Sequence, residues 1–100
     1  VVLSHVPPFG CLDEPKPGSH IGHRPLRDWL ESAEGESVEL VLCGHVHEAL
    51  GFARCRNALV VNLATGYALL DDVDGVWRVG RIESLASLAA QQRLLSDDLD

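Results

Sequence analysis

The sequence predicts an α/β fold, and three observations carry that expectation. Two nearly continuous apolar runs, at residues 1–4 and 38–43, have the composition of strands covered on both faces. One amphipathic helical pattern lies between them, so the order is strand, helix, strand, the βαβ unit of a parallel sheet. After Glu48 the texture changes to short strands separated by turn residues.

The first run, Val1-Val2-Leu3-Ser4, ends at His5, and Pro7 and Pro8 then stiffen the chain as it leaves the sheet. Residues 9–22 hold Gly10, Pro15, Pro17 and Gly18 among charges, too broken for helix or ladder strand, and predict a long surface loop. Loops of this length in compact domains are often functional, which makes His20 a candidate substrate contact. His23 reads instead as a loop or helix-entry histidine.

Pro25 suits a first helical turn, and Leu26, Trp29, Leu30 and Ala33 share one face of a helix from about Arg24 to Ala33. Gly35 is the expected stop. Arg24, Arg27, Asp28 and Glu31 fall on the opposite, solvated face, with Arg27 and Glu31 spaced for an i,i+4 ion pair. Residues 38–43 form the second core strand and deliver Gly44-His45-Val46-His47-Glu48 to the carboxyl edge of the sheet. In open parallel sheets ligands bind at that edge.

Four further strands are expected at residues 50–54, 58–62, 66–70 and 76–82. Asp71, Asp72 and Asp74 lack the other ligand positions of a calcium loop, and Asp74-Gly75 beside a strand predicts a hairpin turn. Ser84 is placed to cap a last helix running to about Leu95, with Leu85, Leu88 and Ala89 on one side. Residues 96–100 read as a frayed end.

The net charge of −7 excludes general binding to a phosphate backbone, since the basic residues form no stripe. The sequence contains no apolar run long enough for a membrane helix, and residues 1–30 lack a signal-peptide layout, so a cytoplasmic location is expected. Cys11, Cys43 and Cys55 contain no Cys-x-x-Cys pair and suit reduced thiols. Cys43, which closes an apolar strand, is expected to pack as a small hydrophobe. The chain begins with Val rather than Met and enters a strand at once, so it reads as a truncated domain.

His5, His45 and His47 form the densest group of metal-binding side chains. Neutral imidazole suits zinc, iron and manganese, and three histidines at neighbouring strand ends fit a partial coordination set. His-x-His by itself also occurs without any metal. Gly44 is the expected site of a tight turn. Ser4 and His5 do not read as a nucleophile and its base, because adjacent strand residues point to opposite faces.

Taken together, Ser4-His5-Val6-Pro7-Pro8, Gly18-Ser19-His20-Ile21-Gly22, Leu26-Arg27 and Cys43-Gly44-His45-Val46-His47-Glu48 resemble the C-terminal half of a calcineurin-like metallophosphoesterase, over about residues 1–66. The resemblance implies an αββα four-layer sandwich holding two first-row metal ions, Mn, Fe or Zn. It implies hydrolysis of a phosphate mono- or diester by a metal-activated hydroxide. By that pattern His5 and His45 bind the second metal and His47 the first.

The family's Asp-x-His, Gly-Asp and Asn-His-Asp/Glu segments do not occur in this sequence, and its general acid belongs to that same N-terminal part. Residues 1–100 are therefore expected to be a partial domain, a phosphoester being the substrate of the parent. Glu48 and Asn62 are candidates to support the ligating imidazoles, although Asn62-Leu63-Ala64 stands where the family often has Asn-Pro-Gly. Two alternatives remain: a non-enzymatic scaffold of the same architecture, and a cupin-like β-domain. A cupin would carry a glutamate several residues beyond His-x-His, whereas Glu48 follows directly.

Overall fold

The computed structural model describes residues 1–87 and Ala90. Four strands, β1 (Val2–Leu3), β2 (Leu40–Cys43), β3 (Gly51–Cys55) and β4 (Ala58–Asn62), form one sheet in the order β1-β2-β4-β3. β1 runs parallel to β2, and β2 parallel to β4, while β3 returns antiparallel along β4. The fold is mixed α/β, with the strand–helix–strand crossover expected from the sequence. Its parallel core differs from the antiparallel sheets of a cupin.

The helix of that crossover is α1 (Arg24–Glu31), two residues shorter than its apolar pattern suggests. His23 caps it, its Nδ1 accepting the amide of Leu26 at 3.2 Å, and Pro25 occupies the first turn. At the other end the hydroxyl of Ser32 donates to the carbonyl of Trp29 (2.6 Å) and its amide donates to the same oxygen, which ends the helix before Gly35. The role of Gly35 is close approach rather than termination. It sits in a 3-10 turn over residues 34–37 where a Cβ would come within 2.3 Å of the Trp29 carbonyl.

Leu30 is the buried anchor of α1, and removing such a side chain from water contributes roughly 1.5–3 kcal/mol. It packs with Cys11, Val38, Val41, Cys43 and Val60 on one face of the sheet. The opposite face, carrying Leu40, Leu59 and Val61, is covered by Leu70, Trp77, Val79 and Ile82. Burial on both faces is why β2 and β4 read as unbroken apolar runs.

The second cover is a hairpin of β5 (Gly66–Val73) and β6 (Val76–Ser84), both longer than their sequence signals. Asp74 and Gly75, with φ of 52° and 80°, make the turn, and that backbone twist matches the twist of the flanking strands. Beyond β6 the Ser84 hydroxyl accepts the amide of Ser87 at 3.1 Å, a cap on the helical turn that starts at Leu85. Of the rest of the expected last helix only Ala90 is described, and Leu88, Ala89 and Leu95 lie outside the described residues. Among the described residues no helix is long and apolar enough to cross a membrane.

Candidate functional site

The site is built by the register of β1 against β2. Val2 pairs with Val41 and Leu3 with Leu42, and the ladder runs on as Ser4 donates to the Leu42 carbonyl (2.9 Å) and Gly44 to the His5 carbonyl (3.0 Å). This brings two residues some 40 positions apart in sequence to the same carboxyl edge. The rings of His5 and His45 stand 4.9 Å apart between centroids, tilted by 59°, and both side chains are exposed. A cleft of about 360 Å³ opens beside them, lined by Leu3, Ser4, His5, Leu42, Cys43 and Leu63.

The tight turn after β2 falls on His45 and not on Gly44. His45 has φ of 69°, and the amide of Val46 donates to the Gly44 carbonyl at 2.8 Å, closing a three-residue γ-turn with His45 at its centre. A Cβ at Gly44 would meet only ordinary contacts at 3.8 Å and beyond, so space does not require glycine there. A non-glycine residue in the left-handed region is strained, and such strain persists where the surroundings over-determine it. Here the surroundings are Val46, 1% exposed and locked into the core. With Val46 pinned, His45 and His47 project on either side of it.

His47 opens a 3-10 turn ending at Ala49 and is exposed, as is Glu48 beside it. The structure gives Glu48 no hydrogen bond to either imidazole. Asn62 is fully buried and lies under the histidine turn, as a supporting residue should. Its amide nitrogen donates to the carbonyls of Val46 (3.0 Å) and Leu12 (3.2 Å), and its Oδ1 accepts the amide of Ala64 (2.9 Å). Cys43 behaves as a small hydrophobe: its thiol donates to the Val61 carbonyl, and burial pushes its pKa up to about 12.

The long loop is closed at its base by strand-like contacts of Pro7, Pro8 and Phe9 with His23. Gly22 makes that closure possible, since a Cβ there would lie 2.6 Å from the Pro8 carbonyl. The hub inside is Asp13, fully buried, a residue the sequence does not mark because acidic loop positions ordinarily face solvent. Its Oδ2 accepts the amides of Gly10 (2.8 Å) and Gly22 (2.9 Å), and its Oδ1 lies 2.8 Å from Nδ1 of His20. The only available cue is the placement of an aspartate between two glycines and ahead of a histidine.

Burial acts to raise the Asp13 pKa, and the hydrogen bonds from His20, Gly10 and Gly22 outweigh it, leaving the carboxyl below its usual value. The bond to Asp13 raises the pKa of His20, partial desolvation opposes it, and the charges of Asp13 and Glu14 add to the rise. Phe9 lies against His20 with ring centroids 5.4 Å apart, and the Arg24 guanidinium stacks over Phe9 at 3.8 Å.

Among the described residues, Asp13, Glu14 and His20 are the one group of three potential ligands whose donor atoms lie within 4.8 Å of one another. Three hydrogen bonds already hold Asp13, two on Oδ2 and one on Oδ1, and all of them tie the loop to itself. The group is better described as the clasp of the loop. His5, His45 and His47 do not form such a group: the rings of His5 and His45 lie close together, and His47 does not complete a set of three with them. Two exposed imidazoles facing each other fit part of a shell for one ion, with the remaining ligands supplied from elsewhere. Compared with known proteins, this chain matches no protein-family model, no curated protein and no solved structure.

Proposed function

We propose that this chain is the C-terminal part of a binuclear metallophosphoesterase domain, a four-layer αββα sandwich that hydrolyses a phosphate mono- or diester. The observation that carries this reading is the juxtaposition of His5 and His45 at one parallel strand edge, 4.9 Å between ring centroids. His5 and His45 would hold the second of two first-row ions, Mn, Fe or Zn, and His47 the first.

When bound, such ions polarise phosphoryl oxygens and acidify water. The chain's own residues do the positioning. Asn62 fixes the Val46 carbonyl and with it the angle between His45 and His47. Asp13 keeps a proton on Nδ1 of His20, so Nε2 donates to an anionic phosphoryl oxygen only when the ring is the imidazolium, and the Glu14 carboxylate 3.6 Å from Nε2 competes for that proton. The substrate is a phosphoester, and the remaining ligands and the general acid come from the rest of the domain. A scaffold reading of the same architecture has no observation in its favour that the enzymatic reading lacks.

The test is paramagnetic broadening of imidazole resonances on titration of the chain with Mn²⁺, paired with turnover of p-nitrophenyl phosphate and bis-p-nitrophenyl phosphate by the whole protein that contains it. His5 and His45 should broaden together, and His5→Ala should remove the effect at His45 while sparing His47. In the whole protein His47→Ala should lower turnover by at least roughly 100-fold, because weakening outer support alone costs 10–100-fold. Unchanged metal content and turnover in that variant would overturn the assignment.

A further inference from the structure

A second cleft, of about 370 Å³, lies away from the histidines and is lined by Phe52, Arg54, Leu59, Trp77, Arg78 and Val79. Its position follows from register. Phe52 stands opposite Val61 and Arg54 opposite Leu59, and directly opposed residues share a face of the sheet. Val61 and Leu59 belong to the core under the hairpin, so Phe52 and Arg54 extend that face past the last covered strand. β3 ends the sheet, and the hairpin residues Trp77 and Val79 roof its open margin.

The charge there is unspent. Arg27, Arg56 and Arg81 each pair with a glutamate, and Arg24 is stacked on Phe9. Arg54 has no ion pair, hydrogen bond or cation–π contact among the described residues. Arg78 stands between the inward-facing Trp77 and Val79 and so on the outer face of the hairpin, opposite Asp71. In a chain of net charge −7, with carboxylates in excess, an unpaired guanidinium beside two aromatic side chains can take its anion from outside the chain.

The apolar part is equally unfilled. Phe52 is 51% exposed, Trp77 is half-buried, and no ring contact joins them. The volume lies in the range of small-molecule sites, roughly 300–1,000 Å³. Aromatic walls bind a planar ring through its faces, and arginine pairs bidentately with planar or tetrahedral oxyanions.

We propose that this cleft binds a small aromatic anion, a planar ring carrying a phosphate-type or carboxylate group, with Phe52 and Trp77 against the ring and Arg54 on the anion. The site is independent of the histidine edge: the two clefts share no lining residue.

The experiment is two-dimensional NMR of the full chain in EDTA, so that its outcome and that of the Mn²⁺ titration are separate. Phenylphosphonate and benzoate are the probes, with methylphosphonate as the ringless control and benzyl alcohol as the uncharged one. Saturable shifts are expected at the Trp77 indole N–H and at residues 52–54 and 77–79, with the Trp29 indole unmoved. One or both probes should bind at least about 10-fold more tightly than either control, and the tighter probe identifies the anion class. The variant R54Q, at an exposed position, should weaken the better probe by at least about 10-fold with an unchanged circular dichroism spectrum. Controls that bind as well as the probes, no saturation below roughly 10 mM, or undiminished binding by a folded R54Q would each overturn the proposal.

Discussion

The side-chain amide of Asn62 donates to the carbonyl of Val46, 3.0 Å away, and Val46 is the residue between the two histidines of the turn. The same nitrogen reaches Leu12, the neighbour of the loop hub Asp13. One buried amide thus fixes two segments that sequence separates by more than thirty positions. Asn62→Ala should cost about 2–3 kcal/mol in urea unfolding, from carbonyls left short of a donor and from the void. The His45 and His47 resonances should shift together, and independent behaviour of the two would contradict a common anchor.

His45 carries backbone strain that glycine would relieve. His45→Gly should be more stable than His45→Ala by about 1 kcal/mol, the usual cost of a Cβ in the left-handed region, while both variants lose Mn²⁺ at the His5 pair. Equal stabilities would mean that the turn relaxes and stores no strain.

The Asp13–His20 clasp sets a pH window. Asp13 has a pKa below its ordinary 3.8, so its contribution is present above that value and is lost as pH falls through the lowered one. His20 has a pKa above its ordinary 6.5, so its contribution is full below 6.5 and is lost as pH rises through the raised value. Thermal stability should therefore be greatest between about pH 4 and 6.5, and His20→Asn should flatten the decline on the alkaline side. An unaltered pH profile in His20→Asn would remove the clasp from the account.

Gly22→Ala tests the closure of the loop. The added methyl meets the Pro8 carbonyl at 2.6 Å, a backbone atom that cannot swing aside. Overpacking of this kind costs about 1–3 kcal/mol, and amide exchange should accelerate across residues 9–22 before it does in the sheet.

Much of the fold was legible because its signals are local and periodic. Apolar runs marked β2 and β4, offsets of three and four marked α1, and Asp74-Gly75 marked the hairpin turn. The histidines were legible because imidazole is scarce and each follows a strand. Asp13 was not, since its burial depends on loop ends meeting through Pro8, Gly22 and His23, contacts no short window contains. Gly44 misled for a related reason: glycine permits a positive φ, yet the pull on Val46 places it one residue later. The lack of an ion pair at Arg54 was equally invisible, because whether an arginine is paired depends on which carboxylates the fold brings near.

β1 is only two residues long, and Val1 and Leu3 are 75% and 77% exposed. Little apolar burial secures the strand that carries His5, so half of the facing pair rests on the least anchored piece of the sheet. An ion held between His5 and His45 would then act as a cross-link closing a loop of some 40 residues, with an entropic benefit that grows with loop length. The reciprocal consequence is that affinity for that ion is reduced by whatever fraction of molecules have β1 undocked. If the proposed ion binds between His5 and His45, its occupancy and the docking of one short strand would be a single equilibrium.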